Sequence, residues 1–269
     1  MQDKILLFIP AYNCSPQIPR VLRKLNEIPA GTFAEVLVLD NQSPDNTGAV
    51  AVAILPEITS APVTVGRNQA NYGLGGSHKV AFGYAQRNGF THVVVLHGDD
   101  QGDLHDLMPI LAAGQHRKSD ACLGSRFMRG SSTPGYSTFR TFGNHVFNLL
   151  FSAAAAKHVT DLGSGLNIFG PAVIHDESVR RFSDDLRFNC YMLLSLVDKN
   201  RSFFFFPITW REEDQISNVK MFRQTLLTLE IVREYVFKRF FFRNADHRTA
   251  KHALYDFNTL ATTRKESAV

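Results

Sequence analysis

The sequence predicts an α/β fold in which a mostly parallel, Rossmann-like sheet is flanked by helices. Short apolar runs that suit buried strands alternate with longer segments whose apolar residues recur at helical spacing. Two of the runs end on acids, at Asp40 and Asp99. Parallel neighbouring strands need a long connection, which a helix supplies, and their carboxyl ends meet at one edge. Polar residues that follow the strands should therefore meet at one ligand-binding edge.

The composition is that of a folded protein. The chain has 269 residues, of which 44% are hydrophobic, and a formal net charge of +4. This charge suits anionic substrates or a membrane surface, and without zinc-finger or RNA-binding signatures it does not imply nucleic acid. Three scattered cysteines and no signal peptide favour a reducing cytoplasm. We expect a cytoplasmic protein that is soluble or peripheral at the cytoplasmic membrane face, because the most apolar stretch, residues 146–156, is too short to span.

The first half of the chain predicts three strand and helix pairs. A strand over residues 4–9 stops at Pro-Ala-Tyr-Asn, and helical spacing follows over 17–28. A second strand over 36–39 ends at Asp40, and the Pro-Asp-Asn that follows opens another helix. A weaker strand over 63–65 precedes a helix over 74–87. These repeats are typical of a parallel sheet with right-handed crossovers.

Residues 93–101, Val-Val-Val-Leu-His-Gly-Asp-Asp-Gln, predict a metal site. If the backbone stays extended, His97, Asp99 and Gln101 point to one face. Carboxylate and amide oxygens are ligands that Mg²⁺ and Mn²⁺ accept. The alternative is that Asp99 and Asp100 only cap the next helix, which an isolated Asp-Asp pair more often does.

The second half of the chain adds a guanidinium to the same edge. A strand over 121–123 ends at Gly-Ser-Arg and so positions Arg126. Residues 127–136 are rich in Gly, Ser and Pro and predict a mobile loop that could cover a site. An apolar helix over 139–156 follows, and then a polar turn at 161–165. A further helix runs to residue 196 after Ser-Asp-Asp at 183–185, and a phenylalanine-rich strand covers 203–208.

The carboxy-terminal part predicts a different character. Residues 219–242 form a helix that is both aromatic and basic, which suits either an anionic membrane interface or packing on the same domain with a solvated basic face. We therefore divide the chain into a main domain at 1–215, an amphipathic helical extension at 216–245 and a flexible tail at 246–269.

Taken together, the edge loops resemble glycosyltransferase family 2, inverting nucleotide-sugar-dependent enzymes with a GT-A fold. The resemblance covers most of residues 4–220. Ile-Pro-Ala-Tyr-Asn at 9–13 is similar to the first-strand motif, and Val-Leu-Asp-Asn-Gln-Ser-Pro-Asp-Asn-Thr at 38–47 is similar to the acidic second-strand motif. Residues 71–76 and Lys79 match the helix start that follows. Residues 207–220 resemble the closing strand and loop, without the usual Gly-x-Ser-Lys form.

Within the family the sequence is most similar to polyprenyl- and dolichyl-phosphate sugar (mannose) synthases. Their Asp-x-Asp-x-Gln metal motif corresponds to His-Gly-Asp-Asp-Gln here, so histidine replaces the first acid. The resemblance implies that Asp99 and Gln101 hold Mg²⁺ or Mn²⁺, and that His97 either ligates the metal or leaves its place to water. It further implies a donor-binding set of Pro10, Tyr12, Asn13, Asp40, Asn71, Gly73, Lys79, Asp99 and Arg211, in which Asp40 and Tyr12 lie in the pocket of the nucleotide base.

The reaction explains why cations are needed. A nucleoside diphosphate leaves the anomeric carbon while negative charge grows on its phosphate, and a metal with arginines stabilises that charge. With the resemblance, we assign Arg126, Arg140 and Arg211 to phosphate groups. Asp161 is expected to orient a loop or an arginine rather than to act as a base.

Three functions are compatible with these residues. The first is transfer to a polyprenyl phosphate, whose ionised oxygen needs no base. The second is transfer to a glycan or other hydroxyl acceptor, which needs a carboxylate base. Asp184 and Asp185 are candidates for that base, although capping of the following helix is the preferred interpretation. The third, motivated only by His97, is a non-catalytic nucleotide-sugar binding protein.

Overall fold

The computed structural model describes residues 3–214 and 221–264, with the backbone alone for 221–223. The strands are β1 (Ile5–Ala11), β2 (Glu35–Asp40), β3 (Val63–Asn68), β4 (His92–Leu96), β5 (Ala121–Ser125), β6 (Leu166–Phe169), β7 (Phe203–Pro207) and β8 (Phe257–Thr262). The helices are α1 (Ile18–Arg23), α2 (Thr47–Ile54), α3 (Gly73–Arg87), α4 (Met108–Ala112), α5 (Thr138–Ala155), α6 (Pro171–Ile174), α7 (Phe188–Asp198), α8 (Met221–Phe237) and α9 (Arg239–Asn244).

These strands form one sheet in the order β7-β5-β6-β4-β1-β2-β3-β8. β6 and β8 run antiparallel to their neighbours, and the other strands run in one direction. The predicted α/β class with a mostly parallel sheet is therefore confirmed.

Helices cover both faces of the sheet. Leu6 and Phe8 of β1 pack with α3 and α7, whereas Leu7 and Ile9 pack with α1 and α2 on the other face. Because both faces are buried, the strands read as continuous apolar runs rather than as alternating ones. The polar loops that can carry chemistry lie at the strand ends.

The carboxy-terminal segment corrects one expectation. Residues 246–269 were predicted to be a flexible tail, but β8 pairs with β3 along residues 257–262. The ring of Phe257 lies directly over Gly66, where a Cβ atom would come within 2.2 Å of it. An otherwise open β3 edge offers unpaired backbone groups, and β8 satisfies them. This strand is only six residues long and pairs with a partner far away in sequence, so the local pattern does not predict it.

The apolar and basic helix is present as α8 and α9. Residues 215–220 lie outside the described residues. They include the predicted start of this helix, the end of the predicted closing loop and the predicted domain boundary at 215/216. Ile231, Tyr235 and Phe242 pack in the same core as α3 and α7. The extension is thus attached to the main domain through its buried face.

Within the described ranges, no helix has both the length and the apolar character needed to cross a membrane.

Candidate active site

Sharp turns follow the central strands. Asn13 after β1, Gln42 after β2 and Asp100 after β4 have positive φ angles of 52°, 61° and 61°. This left-handed backbone is uncommon outside glycine, and such positions concentrate at functional sites. All three turns lie at the carboxyl edge of the sheet, where the polar loops meet.

A cleft of about 550 Å³ opens at this edge, within the usual size range of ligand pockets. It brings together residues that are far apart in sequence. The predicted site residues that line it are Pro10, Tyr12, Asn13, Asn71, Gly73, His97, Asp99, Gln101, Arg126 and Arg140.

The predicted metal residues reach the cleft by a turn rather than by extended backbone. The chain turns at residues 98–100, and the Gln101 N–H donates to Asp99 Oδ1 at 3.3 Å. Asp100 points the other way, where it accepts hydrogen bonds from Arg20 Nε at 2.7 Å and Lys24 Nζ at 2.6 Å. Asp100 therefore lies off the cleft side of the loop, as expected.

Burial sets the charges of this loop. Burial raises the pKa of Asp99 to about 6. Burial, together with the positive charge of Arg126, lowers the pKa of His97 to about 4, so its imidazole is neutral near pH 7. A carboxylate, an amide oxygen and a neutral imidazole fit Mn²⁺ or another transition metal better than Mg²⁺, which prefers oxygen. A cation here would also offset the cost of the buried Asp99 charge.

Arg126 is held in a fixed orientation. Its Nε and Nη2 each donate to an oxygen of Asp161 at 2.8 Å. Its guanidinium also lies against the rings of Phe127, Tyr136 and Trp210. Burial favours a lower pKa for Arg126, but the charge and hydrogen bonds of Asp161 outweigh it and raise the pKa. Asp161 lies behind the arginine, outside the cleft lining, which agrees with the expected orienting role.

The second cleft arginine has a partner that the sequence reading missed. Arg140, near the start of α5, forms an ion pair with Glu212, and both line the cleft. The predicted phosphate ligand Arg211 instead donates to Asp103 Oδ2 at 3.3 Å and lies outside the lining. Glu212 therefore lines the cleft in place of its sequence neighbour Arg211.

A network of asparagines joins the loops after β2 and β3. Asn41 Nδ2 donates to Asn71 Oδ1, and Asn41 Oδ1 accepts from Asn68 Nδ2 and the Tyr72 N–H, each at 2.9 Å. Asn41 and Asn71 line the cleft. Half-exposed Tyr12 adds an aromatic ring on which a nucleobase could stack.

Asp40, which was predicted to contact the base, lies beneath this network instead. It is buried, and its Oδ1 accepts the Ser43 N–H at 2.9 Å. Its Oδ2 makes no hydrogen bond to the described residues, with Arg67 Nε at 3.6 Å. The adjacent Asn41 occupies the cleft position that the sequence reading gave to Asp40.

Lys79 is also displaced from its predicted role. Its Nζ donates to Asp184 Oδ1 and to the Phe182 carbonyl, both at 2.6 Å, in a buried ion pair. The Tyr255 hydroxyl donates to the same Asp184 oxygen at 2.6 Å. Burial lowers the pKa of Lys79, and the bond to Asp184 opposes that shift. A structural ion pair therefore takes the place of the predicted donor contact of Lys79, and it occupies Asp184, which was a candidate base.

Asp185 lies before α7 but does not cap it as expected, because the N-cap residue is Arg187 and no side chain makes a capping hydrogen bond there. It accepts the Arg187 N–H just before α7 and pairs with the Arg187 guanidinium at 2.9 and 3.0 Å. Leu186 lines the cleft, whereas Asp184 and Asp185 do not. Neither acid is placed to act as a base there.

The fold is the GT-A fold of solved glycosyltransferases. Glucosyl-3-phosphoglycerate synthase of Mycobacterium tuberculosis matches with a TM-score of 0.58 and 17% identity, over 87% of this chain and 81% of that chain. The same enzyme in complex with Mn²⁺, UDP-glucose and phosphoglyceric acid matches with a TM-score of 0.59 and 16% identity, over 86% and 79%.

The chain belongs to glycosyl transferase family 2, whose family model matches residues 7–182. It is 28% identical over 166 residues to undecaprenyl-phosphate mannosyltransferase of Micrococcus luteus, covering 62% of this chain and 66% of the relative. It is 24% identical over 212 residues to polyprenol monophosphomannose synthase of Mycolicibacterium smegmatis, covering 78% and 72%. The family predicted from the motifs is thus confirmed, and the chain spans just under two thirds of the Micrococcus relative.

Proposed function

We propose that this glycosyltransferase moves a sugar from a nucleoside-diphosphate sugar to a polyprenyl phosphate, with inversion at the anomeric carbon. The observation that carries the proposal is the meeting of Asp99 and Gln101 with Arg126 and Arg140 in one cleft. A sugar diphosphate and a phosphate acceptor both require concentrated positive charge. The names of the two relatives support this acceptor class.

The donor is held between the asparagine network and the metal loop. Tyr12 and Asn71 line the cleft and would contact the nucleoside. Asp99, which also lines it, would face the diphosphate through the bound cation. The relatives' names favour mannose and thus a GDP-linked donor. The UDP-glucose complex of the structural neighbour keeps a UDP-linked donor as the alternative.

Asp99 and Gln101, with His97, would hold Mn²⁺ or Mg²⁺. The cation supplies positive charge where the diphosphate departs. Arg126 is already held in place by Asp161, so its guanidinium does not have to reorient as negative charge develops on the phosphate. Arg140 exchanges its bond with Glu212 for the acceptor phosphate and aligns the attacking oxygen. That oxygen is already ionised, so no proton has to be removed.

A contact with an anionic lipid surface would deliver such an acceptor. Helix α5, which carries Arg140, has an exposed apolar stripe, with Phe139, Phe142 and Leu149 about 70% exposed. These residues recur at helical spacing on one face. The stripe therefore begins beside the cleft and leads away from it.

Helices α8 and α9 extend this surface. α8 lies against α5, and Phe237 and Phe240 are about 80% exposed. Exposed Arg233 and Lys238 add positive charge. Aromatic rings with basic side chains suit the interface of an anionic membrane.

A hydroxyl acceptor is the second candidate, and Glu212 is the observation that favours it. Its carboxylate lines the cleft beside Arg140. It could accept a proton from a sugar or glycerate hydroxyl, which a phosphate acceptor would not need.

The substitution Glu212→Gln separates the two candidates. With short-chain polyprenyl phosphate and a panel of GDP- and UDP-sugars, we expect kcat to stay within about threefold of wild type. A general base would instead contribute roughly 10²-fold to 10⁴-fold. Loss of that size, together with turnover on saccharide acceptors, would overturn the lipid-phosphate proposal. Nucleotide binding without any transfer would support the non-catalytic alternative.

A further inference from the structure

A second group of metal-ligating side chains lies at the end of the sheet opposite the cleft. Asp3 precedes β1, His92 opens β4 and His116 follows α4. One ligand atom from each residue lies within 4.8 Å of the other two. β1 and β4 are parallel, with Ile5 opposite His92, so this group lies at the amino-terminal edge.

Two of these side chains are deeply buried. His92 and His116 are 5% and 2% exposed, and their rings meet edge to face with 5.0 Å between centroids. His116 Nε2 lies 2.9 Å from Asp3 Oδ2. Because Nε2 is the nitrogen that faces Asp3, it is the atom through which His116 would reach a cation shared with Asp3.

Neighbouring side chains fix the ligand atoms. His92 Nδ1 lies 3.0 Å from the Thr91 hydroxyl, which orients its imidazole. Asp3 Oδ2 lies beside His116 and also accepts from Arg117 Nε at 2.7 Å. A cation bound here would therefore share this carboxylate with the arginine.

We propose that Asp3, His92 and His116 form a structural site for a divalent transition metal, with Zn²⁺ as the best match. Two imidazoles and one carboxylate are a ligand set that Zn²⁺ accepts, with a fourth place left to water. His116 exchanges its bond to Asp3 for the metal. The site ties the segment before β1 to β4 and to the turn after α4. It stabilises the fold and does not depend on the proposed transfer reaction.

Zinc binding to tag-free, chelator-treated protein tests the site. In the Asp99→Asn background, which disables the cleft site, we expect calorimetry to give one strong Zn²⁺ site per chain, and Co²⁺ to give the visible absorption of a low-symmetry nitrogen and oxygen site. Zn²⁺ at 100 times Kd should raise Tm by about 5 °C. The combined variant His92→Asn/His116→Gln should lose all three signals.

Matched variants locate the signal. His105→Gln removes an exposed histidine that also pairs with an aspartate, Asp103, and should leave Zn²⁺ binding unchanged. All variants are compared in the Asp99→Asn background, so that Zn²⁺ bound in the cleft does not contribute to the signal. Asp3→Asn, near the chain end, should weaken Zn²⁺ at least tenfold and serves if the double variant fails to fold. Equal Zn²⁺ affinity with and without Asp3→Asn in this background, or no binding to the Asp99→Asn protein itself, would overturn the proposal.

Discussion

Arg126 and Asp161 form a two-bond ion pair that is almost sealed from solvent, with side chains 11% and 1% exposed. The pair joins the end of β5 to the turn before β6. Arg126 faces the cleft and Asp161 supports it from behind. Stability and catalysis should therefore depend on the same two hydrogen bonds.

Asp161→Asn should impair both properties. It leaves a buried guanidinium without its counter-charge, which typically costs about 3 kcal/mol or more in the free energy of unfolding. Loss of a preorganised cation should lower kcat by about 10²-fold. Urea unfolding and steady-state kinetics measure the two effects. Glu57→Gln, in the exposed Arg23 pair, is the control and should change neither; a stable, fully active Asp161→Asn would contradict the assigned role.

Lys79→Met should act on stability rather than on donor binding. The substitution keeps the side-chain length but leaves Asp184 without its buried cation, so we expect a loss of about 3 kcal/mol. The nucleotide Kd from calorimetry should change less than about twofold. Asn71→Ala, in the cleft, should raise the nucleotide Kd and leave the free energy of unfolding nearly unchanged. A large rise in nucleotide Kd for Lys79→Met, with an unchanged free energy of unfolding, would show that Lys79 contacts the donor, as the sequence predicted.

Two glycines test whether β8 is a packed strand. Gly66→Ala would push a Cβ atom into the Phe257 ring, so it should destabilise the protein by about 1–3 kcal/mol. Gly143→Ala, on α5, meets no atom within 4 Å and should stabilise the helix by about 0.5–1 kcal/mol. Urea unfolding compares them. Equal effects of the two variants would mean that residues 257–262 do not pack on β3.

The α5 stripe should contribute to lipid binding. Phe142→Ser/Leu149→Ser removes two exposed apolar side chains, and we expect binding to phosphatidylglycerol-containing vesicles to fall at least about tenfold. Leu254→Ser is the control, since Leu254 is also exposed but precedes β8 at the far edge of the sheet. Co-sedimentation measures both. Unchanged binding of the double variant, or an equal loss in the control, would exclude α5 as the contact.

The class of fold could be predicted from the sequence because helices bury both faces of the sheet. The strands, such as β4, are therefore continuous apolar runs in the sequence. The family was readable because several motifs occur in order. Asp99, Gln101 and Arg126 line one cleft, since strand ends meet at one edge whatever the details of each turn.

The misplaced residues depend on contacts that no local pattern encodes. Lys79 is drawn into the core by Asp184, 105 positions away. Asp40 is covered because its own loop folds back through Ser43. β8 pairs with a strand almost 200 positions earlier. Glu212 was missed because its place in the cleft beside Arg140 depends on a contact 72 positions away.

The most direct test of the central claim is a competition between acceptors. Wild-type protein is incubated with Mn²⁺, one labelled GDP- or UDP-sugar, and equal concentrations of a short-chain polyprenyl phosphate and a saccharide mixture. We predict that the label enters the organic phase as a lipid-linked sugar, and that Asp99→Asn reduces this at least about 100-fold. Label found only in the saccharide fraction would contradict the account.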